Sequence, residues 1–421
     1  MRSVSRRCPQ CGAIYPDTIA FCGEDGAVTV QVQAPDDPPD RRLGRRFGDY
    51  VVAASVADGA MGRVYEGRHA QSRQKVAIKI LHDEVAKDRI AVERFKREYE
   101  TARELDSPHI VKVIDFGDTG DGSYFLTMEF LNGEELGALL RREGRLPIAR
   151  ALRILCQVAL GLDDAHASGV IHRDLKPDNL FLVHTQEGDL VRILDFGSVK
   201  LQMETGPKLT AFGTTLGSPY YMSPEQAMGK ADVDNRTDVF ALAAITYEML
   251  SGHIAFDGPA VAQILMKIVN EMPAPLSSVR AGTPASLDDV IERALAKDKR
   301  KRHEGTLALA ADVLGAMGLE ATPDRASIEA WARRTVAEID AALATATPRA
   351  AQAFGAPAQS AAPLPATTHT NAGSAPTPAH DAFPSADKPA GTSLVLWVAL
   401  GVGVLALFGV GLLGLAYVLF G

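Results

Sequence analysis

The chain has 421 residues, of which 46% are hydrophobic and 23% are charged, proportions that are ordinary for globular proteins. They exclude wholesale disorder, a collagen-like repeat and a disulfide scaffold. The formal net charge is −8, whereas a dedicated nucleic-acid binder is usually basic, so nucleic acid is not expected as a partner.

The N-terminal segment, residues 1–32, contains three of the four cysteines and predicts a metal site. Cys8 and Cys11 form a C-x2-C pair, Cys22 follows, and Asp25 stands where a fourth cysteine would complete the set. Zinc accepts thiolates and a carboxylate, although most structural sites use cysteine and histidine. Because so short a segment cannot build its own core, we expect Zn²⁺ to hold it together. The alternative is a flexible, reduced tail with three free thiols.

Residues 33–46 are polar and proline-containing, which is typical of a linker, and residues 47–319 are globular throughout. Runs rich in Val, Ile, Tyr and Phe predict strands at 50–56, 64–68, 76–81, 110–116 and 124–130, with one helix at about 91–105. Apolar residues three and four apart then predict helices at 147–168, 237–250 and 260–269. This order indicates an α+β fold in two unequal lobes, the first rich in strands and the second helical.

The C-terminal part predicts a helical extension at 320–346, amphipathic from about 325 to 344, and a disordered Ala/Pro/Thr/Ser-rich tether at 347–392. Residues 393–420 carry no charge and, at about 1.5 Å per residue, are long enough to span a bilayer core of roughly 30 Å. From this length we expect a single-pass cell-membrane anchor with the globular part in the cytoplasm. The alternative is that residues 393–420 form a buried core helix. Ala399 and Gly403 form a small-x-x-x-small pair, which leaves a homodimer open.

Two glycines and a lysine in the strand-rich part form the first candidate site for chemistry. Gly59 and Gly62 lie between two predicted strands, where glycine lets backbone N–H groups approach phosphate oxygens. Lys79 ends the next strand and would lie under this loop, and Glu98 in the following helix is a candidate carboxylate partner. Taken alone, the glycines could be plain turn residues and Lys79 a surface side chain.

The strongest signal is the octapeptide at 172–179, His-Arg-Asp-Leu-Lys-Pro-Asp-Asn, followed by Asp-Phe-Gly at 195–197. The asparagine and an aspartate of these motifs offer the hard oxygen ligands that magnesium prefers when it carries phosphates. A second aspartate can accept a proton from an attacking hydroxyl group. The probability of a random match to both motifs in this order and spacing is negligible.

These motifs resemble those of the eukaryotic-type protein kinases, and within them the bacterial serine/threonine kinases, over about residues 47–319. The resemblance implies ATP and Mg²⁺ as cofactors, with Mn²⁺ as an alternative metal. It implies that Asp174 is the catalytic base, that Lys176 steadies the γ-phosphate, and that Asn179 and Asp195 hold magnesium. The residues it implies in ATP binding are Gly59, Gly62, Val64, Ala77, Lys79 paired with Glu98, the gatekeeper Met128, and Glu129 and Leu131 of the hinge. It also implies that Glu225 pairs with Arg302 and that Asp238 supports the catalytic loop.

Further features of the resemblance concern the class of substrate and the regulation of the kinase. Lys176, together with Ser218 at a place usually taken by threonine, implies Ser/Thr hydroxyls of proteins as acceptors. Arg173 before the catalytic aspartate implies switching by a phosphorylated activation loop, with Thr210 and Thr215 as the preferred acceptors. The N-terminal segment resembles the small zinc-ribbon modules found before some bacterial kinases.

The sequence also departs from the family pattern. Ala57 replaces the first glycine of the loop, and alanine disfavours a positive φ by roughly 1 kcal/mol or more. None of the departures removes a catalytic group. The runner-up interpretation is a catalytically inactive kinase fold serving as a membrane scaffold. A further hypothesis is that the cysteine module senses redox state or metal and gates the kinase.

Overall fold

The structure, a computed structural model, describes residues 5–32, 40–196 and 219–353, with side chains described as far as residue 346. The predicted acceptors Thr210 and Thr215 lie outside these residues, as do Ser218 and the predicted membrane span at 393–420. Within the described ranges, no helix is long and apolar enough to cross a membrane.

The N-terminal module is a small antiparallel sheet with two similar turns. Its strands β1 (Ser5–Arg7), β2 (Ile14–Pro16) and β3 (Val30–Gln31) are ordered β2-β1-β3. In each turn a glycine N–H donates to the carbonyl of the cysteine four residues earlier, Gly12 to Cys8 and Gly26 to Cys22, both at 3.1 Å. Both glycines have left-handed φ angles, 80° and 71°, which other residues rarely adopt. The two turns therefore have the same hydrogen-bond pattern at Cys8 and at Cys22.

A six-stranded antiparallel sheet forms the first lobe, in the order β4-β5-β6-β7-β9-β8. Its strands are β4 (Arg46–Phe47), β5 (Tyr50–Asp58), β6 (Gly62–His69), β7 (Lys75–Leu81), β8 (Val113–Asp118) and β9 (Tyr124–Glu129). Alternate residues of β6 and β7 bury one face in an apolar cluster with Phe47 and Phe125. The other face carries Val64, Ala77 and Lys79 and lies toward the second lobe.

Two helices, α1 (Asp83–Ala86) and α2 (Arg89–Arg103), follow β7. The carboxylate of Asp88 caps α2 by accepting from the backbone N–H of Ile90 at 2.9 Å. Phe95 and Ala102 of α2 pack with Leu126 of β9, which fixes α2 beside the sheet. Glu98 is thereby directed toward β7.

The second lobe is helical around one large apolar core. Its helices are α3 (Leu136–Glu143), α4 (Ile148–Ala167), α5 (Pro224–Ala227), α6 (Arg236–Ser251), α7 (Val261–Asn270), α8 (Leu276–Val279), α9 (Ala285–Ala294), α10 (Thr306–Ala316), α11 (Arg325–Arg333) and α12 (Val336–Ala353). A small sheet of β10 (Gly133–Glu135), β11 (Leu180–Thr185) and β12 (Gly188–Ile193) lies at its edge toward the first lobe. The expected two-lobed α+β fold is confirmed.

The region predicted as one amphipathic helix at about 325–344 consists of two helices. Arg334 has an extended backbone, with φ −65° and ψ 145°, and it ends α11. Thr335 and Glu338 then start α12 as a capping box: the Thr335 Oγ1 accepts from the Glu338 N–H at 3.3 Å, and the Thr335 N–H donates to the Glu338 carboxylate at 2.7 Å. Because Ile328 and Trp331 are buried in the core of the second lobe, this extension packs as part of that lobe.

Candidate active site

Lys79 lies at the centre of a cluster of charges between the two lobes, in which Lys79 and Glu98 are largely shielded from solvent. Its Nζ lies 3.1 Å from Glu98 Oε1 and 2.8 Å from Asp195 Oδ1. The lysine comes from the inner face of β7, Glu98 from α2 and Asp195 from the segment after β12. The structure thus brings together three predicted residues that are up to 116 positions apart in sequence.

The charges in this cluster depend on one another. Burial opposes the charged form of Lys79, but the carboxylates of Asp195 and Glu98 outweigh it and raise the pKa of the ammonium group. Burial raises the pKa of Glu98 against the opposing effect of Lys79. At Asp195 burial acts in the same direction, but Lys79 outweighs it and lowers the pKa of that carboxyl. Asp195, whose side chain is 47% exposed, is therefore a charged oxygen donor that the cleft can reach.

The glycine loop connects β5 to β6 above Lys79. A Cβ atom on Gly62 would lie 2.3 Å from the carbonyl oxygen of Ile80, so this position requires glycine for the close approach of two backbones. The Cβ of a residue at 59 would meet its nearest atom, the Gly62 carbonyl oxygen, at 3.4 Å. Ala57 pairs with Val64 in the β5–β6 ladder, and its φ is not positive. The strain expected from alanine at this position therefore does not arise.

The hinge, the segment from Glu129 to Leu131 that joins the two lobes, lies at the end of β9. Ala77 pairs with Met128 across β7 and β9, and the backbone then continues through Glu129 to Leu131. The side chain of Glu129 is held on the outside, because its Oε1 accepts from the N–H of Lys112 at 2.9 Å and lies 3.2 Å from Arg192 Nε. Arg192 is a residue that the sequence reasoning missed.

The catalytic-loop motif carries its polar side chains close together. Lys176 Nζ donates to Asp174 Oδ2 at 3.0 Å, and the Asn179 side-chain amide donates to the Asp174 carbonyl oxygen at 2.8 Å. The N–H of Leu194 donates to the carbonyl of Asn179 at 2.8 Å, which brings the segment bearing Asp195 beside Asn179. The two predicted magnesium ligands therefore lie on neighbouring stretches of backbone, next to the predicted base.

Asp238 of α6 holds this loop from below. Its Oδ2 accepts from the N–H of His172 at 2.9 Å and contacts His166 Nε2 at 2.7 Å, and its Oδ1 accepts from the N–H of Arg173 at 2.9 Å. Burial opposes ionisation of Asp238, but the hydrogen bond to His166 helps to outweigh it and lowers the pKa of the carboxyl. Arg173 has a left-handed φ of 66°, which these bonds stabilise. The sequence predicts Asp238 in this supporting role, but the part played by His166 was missed.

A second support connects the segment after residue 218 to the end of the domain. Glu225 and Arg302, both buried, form a double hydrogen bond, and each N–O distance is 2.8 Å. In the same segment Ser223 and Gln226 form a capping box for α5, and the Gln226 amide donates to the Arg173 carbonyl at 2.7 Å. The catalytic loop is therefore fixed from two directions.

The Arg173 side chain has a buried hydrogen-bond donor that meets no acceptor among the described residues. This donor is its Nε, and the described residues omit 197–218. Burial lowers the pKa of its guanidinium group. A buried donor of this kind is suited to an anionic partner.

The four residues predicted as zinc ligands lie together in the N-terminal module. One ligand atom from each of Cys8, Cys11, Cys22 and Asp25 lies within 4.8 Å of all the others. The backbone N–H groups of Gln10 and Cys11 point to Cys8 Sγ at 3.4 Å each. Tyr15, which the sequence reasoning missed, places its hydroxyl 3.1 Å from Cys22 Sγ. Four ligands about 2.0–2.3 Å from a tetrahedral zinc lie about 3.3–3.8 Å apart. The two sulfur atoms of Cys11 and Cys22, 3.5 Å apart, fall within this range.

The profile of the family described as Protein kinase domain matches residues 50–314. The chain belongs to the protein kinase family. It is 37% identical to serine/threonine-protein kinase pkn3 of Myxococcus xanthus over 288 residues, which is 67% of this chain and 52% of that protein. It is 37% identical to PknH of Mycobacterium tuberculosis over 278 residues, 65% of this chain and 43% of that kinase.

Among solved structures, the PknI kinase domain of Mycobacterium tuberculosis aligns with 65% of this kinase and 98% of its own chain, at a TM-score of 0.52 and 30% identity. The predicted assignment to the bacterial serine/threonine protein kinases is confirmed. This kinase spans about half the length, or less, of the curated relatives that it matches.

Proposed function

We propose that the whole protein is an ATP-dependent serine/threonine kinase that transfers the γ-phosphate of ATP to hydroxyl groups of protein substrates. The observation that carries this proposal is the assembled cluster of Lys79, Glu98 and Asp195 next to Asp174. A fold that had lost catalysis would be free to lose these charges, since burying them is costly. The inactive-scaffold alternative rests on Ala57, whose backbone is unstrained.

The donor set fits a magnesium-bound nucleotide, because Asp195 and the adjacent Asn179 supply oxygen ligands. Magnesium neutralises phosphate charge when it is bound. Lys79, released from its contact with Asp195, orients the phosphates while Glu98 keeps it in place. Asp174 accepts the hydroxyl proton of the substrate, and Lys176 beside it offsets the charge of the transferred group.

Phosphoamino-acid analysis tests the class of acceptor. Purified protein is incubated with magnesium, labelled ATP and a mixed protein substrate, with Lys79→Met as the matched inactive variant. Phosphoserine or phosphothreonine that depends on Lys79 supports the proposal. Phosphotyrosine alone would contradict the proposed acceptor class.

Activation-loop phosphorylation is the proposed control of this site. It is supported by the buried Nε of Arg173, which has no hydrogen-bond partner among the described residues, and by Thr210 and Thr215, which follow Asp195 in the sequence. A phosphate paired with an arginine forms charge-assisted bonds that can order a loop. We expect Arg173→Ala to reduce the activity of the phosphorylated form and to leave the unphosphorylated form little changed. Equal loss in both forms would contradict this role.

We also propose that the N-terminal module binds Zn²⁺ through Cys8, Cys11, Cys22 and Asp25. The mutual distances of the ligand atoms and the two matching glycine turns support it. Elemental analysis of the protein purified without added metal should give about one zinc per chain, in keeping with a four-ligand structural site. A Cys8→Ser/Cys22→Ser double variant should lose it.

Anchoring to the cell membrane through residues 393–420, with the kinase domain in the cytoplasm, is a proposal that rests on the sequence alone. So is self-association through Ala399 and Gly403. Membrane fractionation of the full chain and of a version ending at residue 392 tests the first. Recovery of both in the soluble fraction would contradict it.

A further inference from the structure

The N-terminal module makes a specific contact with the strand that leads into the glycine loop. β4 pairs only with Tyr50 and Val51 of β5, so the rest of that strand edge has no β4 partner. Farther along this strand, the side chain of Gln31 accepts from the backbone N–H of Ser55 at 3.2 Å. Ser55 lies four residues before Gly59. The module therefore holds the strand just before it enters the loop.

A buried ion pair connects the same module to the strand that leaves the loop. Arg6, whose exposure is 4%, donates to Glu66 Oε1 of β6 at 3.2 Å and to the carbonyl of Thr29 at 3.0 Å. One guanidinium group thus connects the interior of the module to β6. Within the module, Arg6 Nε also lies 3.4 Å from Asp17 Oδ1, so the buried guanidinium group has a carboxylate on each side of the contact.

Asp40 contacts side chains on the opposite face of β6. Asp40 Oδ2 accepts from the hydroxyl of Tyr65 at 2.8 Å and from Arg63 Nη1 at 3.0 Å. Arg63 directly follows Gly62 of the loop. Side chains of β6 are therefore held on both faces, Arg63 and Tyr65 on one and Glu66 on the other.

We propose that Arg6 and Gln31 are positioning residues for ATP binding. Through these two residues the N-terminal module, docked on β5 and β6, holds the glycine loop in the conformation that receives the phosphates. This rests on the proposed kinase function and zinc site. A loop that is ordered in advance loses less conformational freedom when it closes on a ligand. Loss of the metal frees the module, and ATP then binds more weakly, while the catalytic groups below remain in place.

The test uses the full chain and measures KM for ATP, kcat and zinc content. Gln31→Ala removes the acceptor, whereas Gln31→Glu keeps an oxygen in the same place. Arg6→Met removes the ion pair but keeps an apolar stem. Ile14→Ser is the control, because Ile14 belongs to the module but is 62% exposed. Thermal unfolding of each variant verifies that it is folded.

We expect Gln31→Ala and Arg6→Met to raise KM for ATP roughly 3- to 10-fold, the range for one lost hydrogen bond or more, while kcat changes little. Gln31→Glu and Ile14→Ser should resemble the wild type. A zinc-selective chelator should raise the KM of the wild type at least as much as either substitution, because it releases both contacts. It should add less to Gln31→Ala than to the wild type, because one of the two contacts is already absent there.

Unchanged KM in both interface variants, with zinc still bound, would overturn the positioning role and leave the zinc site intact. A raised KM in these variants of a protein that contains no zinc would support the positioning role and overturn the metal site. A fall in kcat as large as the rise in KM would indicate general damage to the domain and overturn the proposal.

Discussion

Glu225 and Arg302 form a buried, two-point ion pair that closes a stretch of 77 residues in the helical lobe. Thr237 also donates to Glu225, at 2.9 Å, and the guanidinium of Arg302 donates further to the carbonyl groups of Ala296 and Arg236. Nearly every polar atom of the pair is therefore used. The pair connects the end of the activation segment to the body of the lobe.

Glu225→Gln should destabilise the protein by about 3–5 kcal/mol, because it leaves a buried arginine without its counter-charge. The measurement is urea unfolding at pH 7. Glu84→Gln is the matched control, since Glu84 forms a pair with Lys87 in which both side chains are largely exposed. A loss of stability no larger than that of the control would contradict the structural role of the pair.

The same pair predicts a dependence on pH. Burial opposes ionisation of Glu225, but Arg302 outweighs it and lowers the pKa of the carboxyl. Its contribution to stability is therefore complete above the unfolded pKa of about 4.3, and it is lost as the pH falls through the lower folded value. The difference in unfolding free energy between wild type and Glu225→Gln should stay constant from pH 7 to 5.5 and shrink below about pH 4. A difference that grew on acidification would refute this sign.

Gly62→Ala should damage the first lobe more than Gly59→Ala. The new Cβ at 62 would lie 2.3 Å from the Ile80 carbonyl oxygen, whereas at 59 the nearest atom would be 3.4 Å away. Relief of the first overlap requires β6 to move from β7, at a cost of roughly 1–3 kcal/mol. Thermal unfolding compares the two variants directly. Equal melting temperatures would show that the strands separate without cost.

Substitution of Asp25 should change zinc retention in both directions. Asp25→Cys converts three thiolates and one carboxylate into four thiolates, the commoner structural set, so we expect slower zinc release to a chelator. Asp25→Ala removes a ligand and should speed release. A chromogenic zinc indicator follows both reactions. Identical release rates in the wild type and both variants would exclude Asp25 as a ligand.

Much of the site could be predicted because its signals are local in sequence. Asp174, Asn179 and Asp195 belong to short motifs, and the strand pattern around Lys79 indicates its place on the inner face of β7. The break at Arg334 could also have been predicted, since Thr335 and Glu338 have capping-box spacing.

Other contacts could not be predicted, because they connect distant positions through folding. His166 contacts Asp238, which lies 72 residues later in the sequence. No sequence pattern distinguishes His166 from any other histidine at the end of a helix. The same holds for Gln31 and Ser55, where an amide meets a strand edge that only the sheet order defines. Arg192 beside Glu129 is a third case.

The proposed kinase activity requires the cluster around Lys79 and Asp174 to transfer phosphate. The most direct test is autophosphorylation of the purified protein with magnesium and labelled ATP, beside Asp174→Asn. Asparagine keeps the size of the side chain but cannot accept the proton. We expect label in the wild type, loss of at least about 100-fold in Asp174→Asn, and equal melting temperatures for the two proteins. Equal labelling of both proteins would contradict the proposed activity. So would the absence of label on an added protein substrate when the wild type is folded, binds ATP and is already phosphorylated on its activation loop.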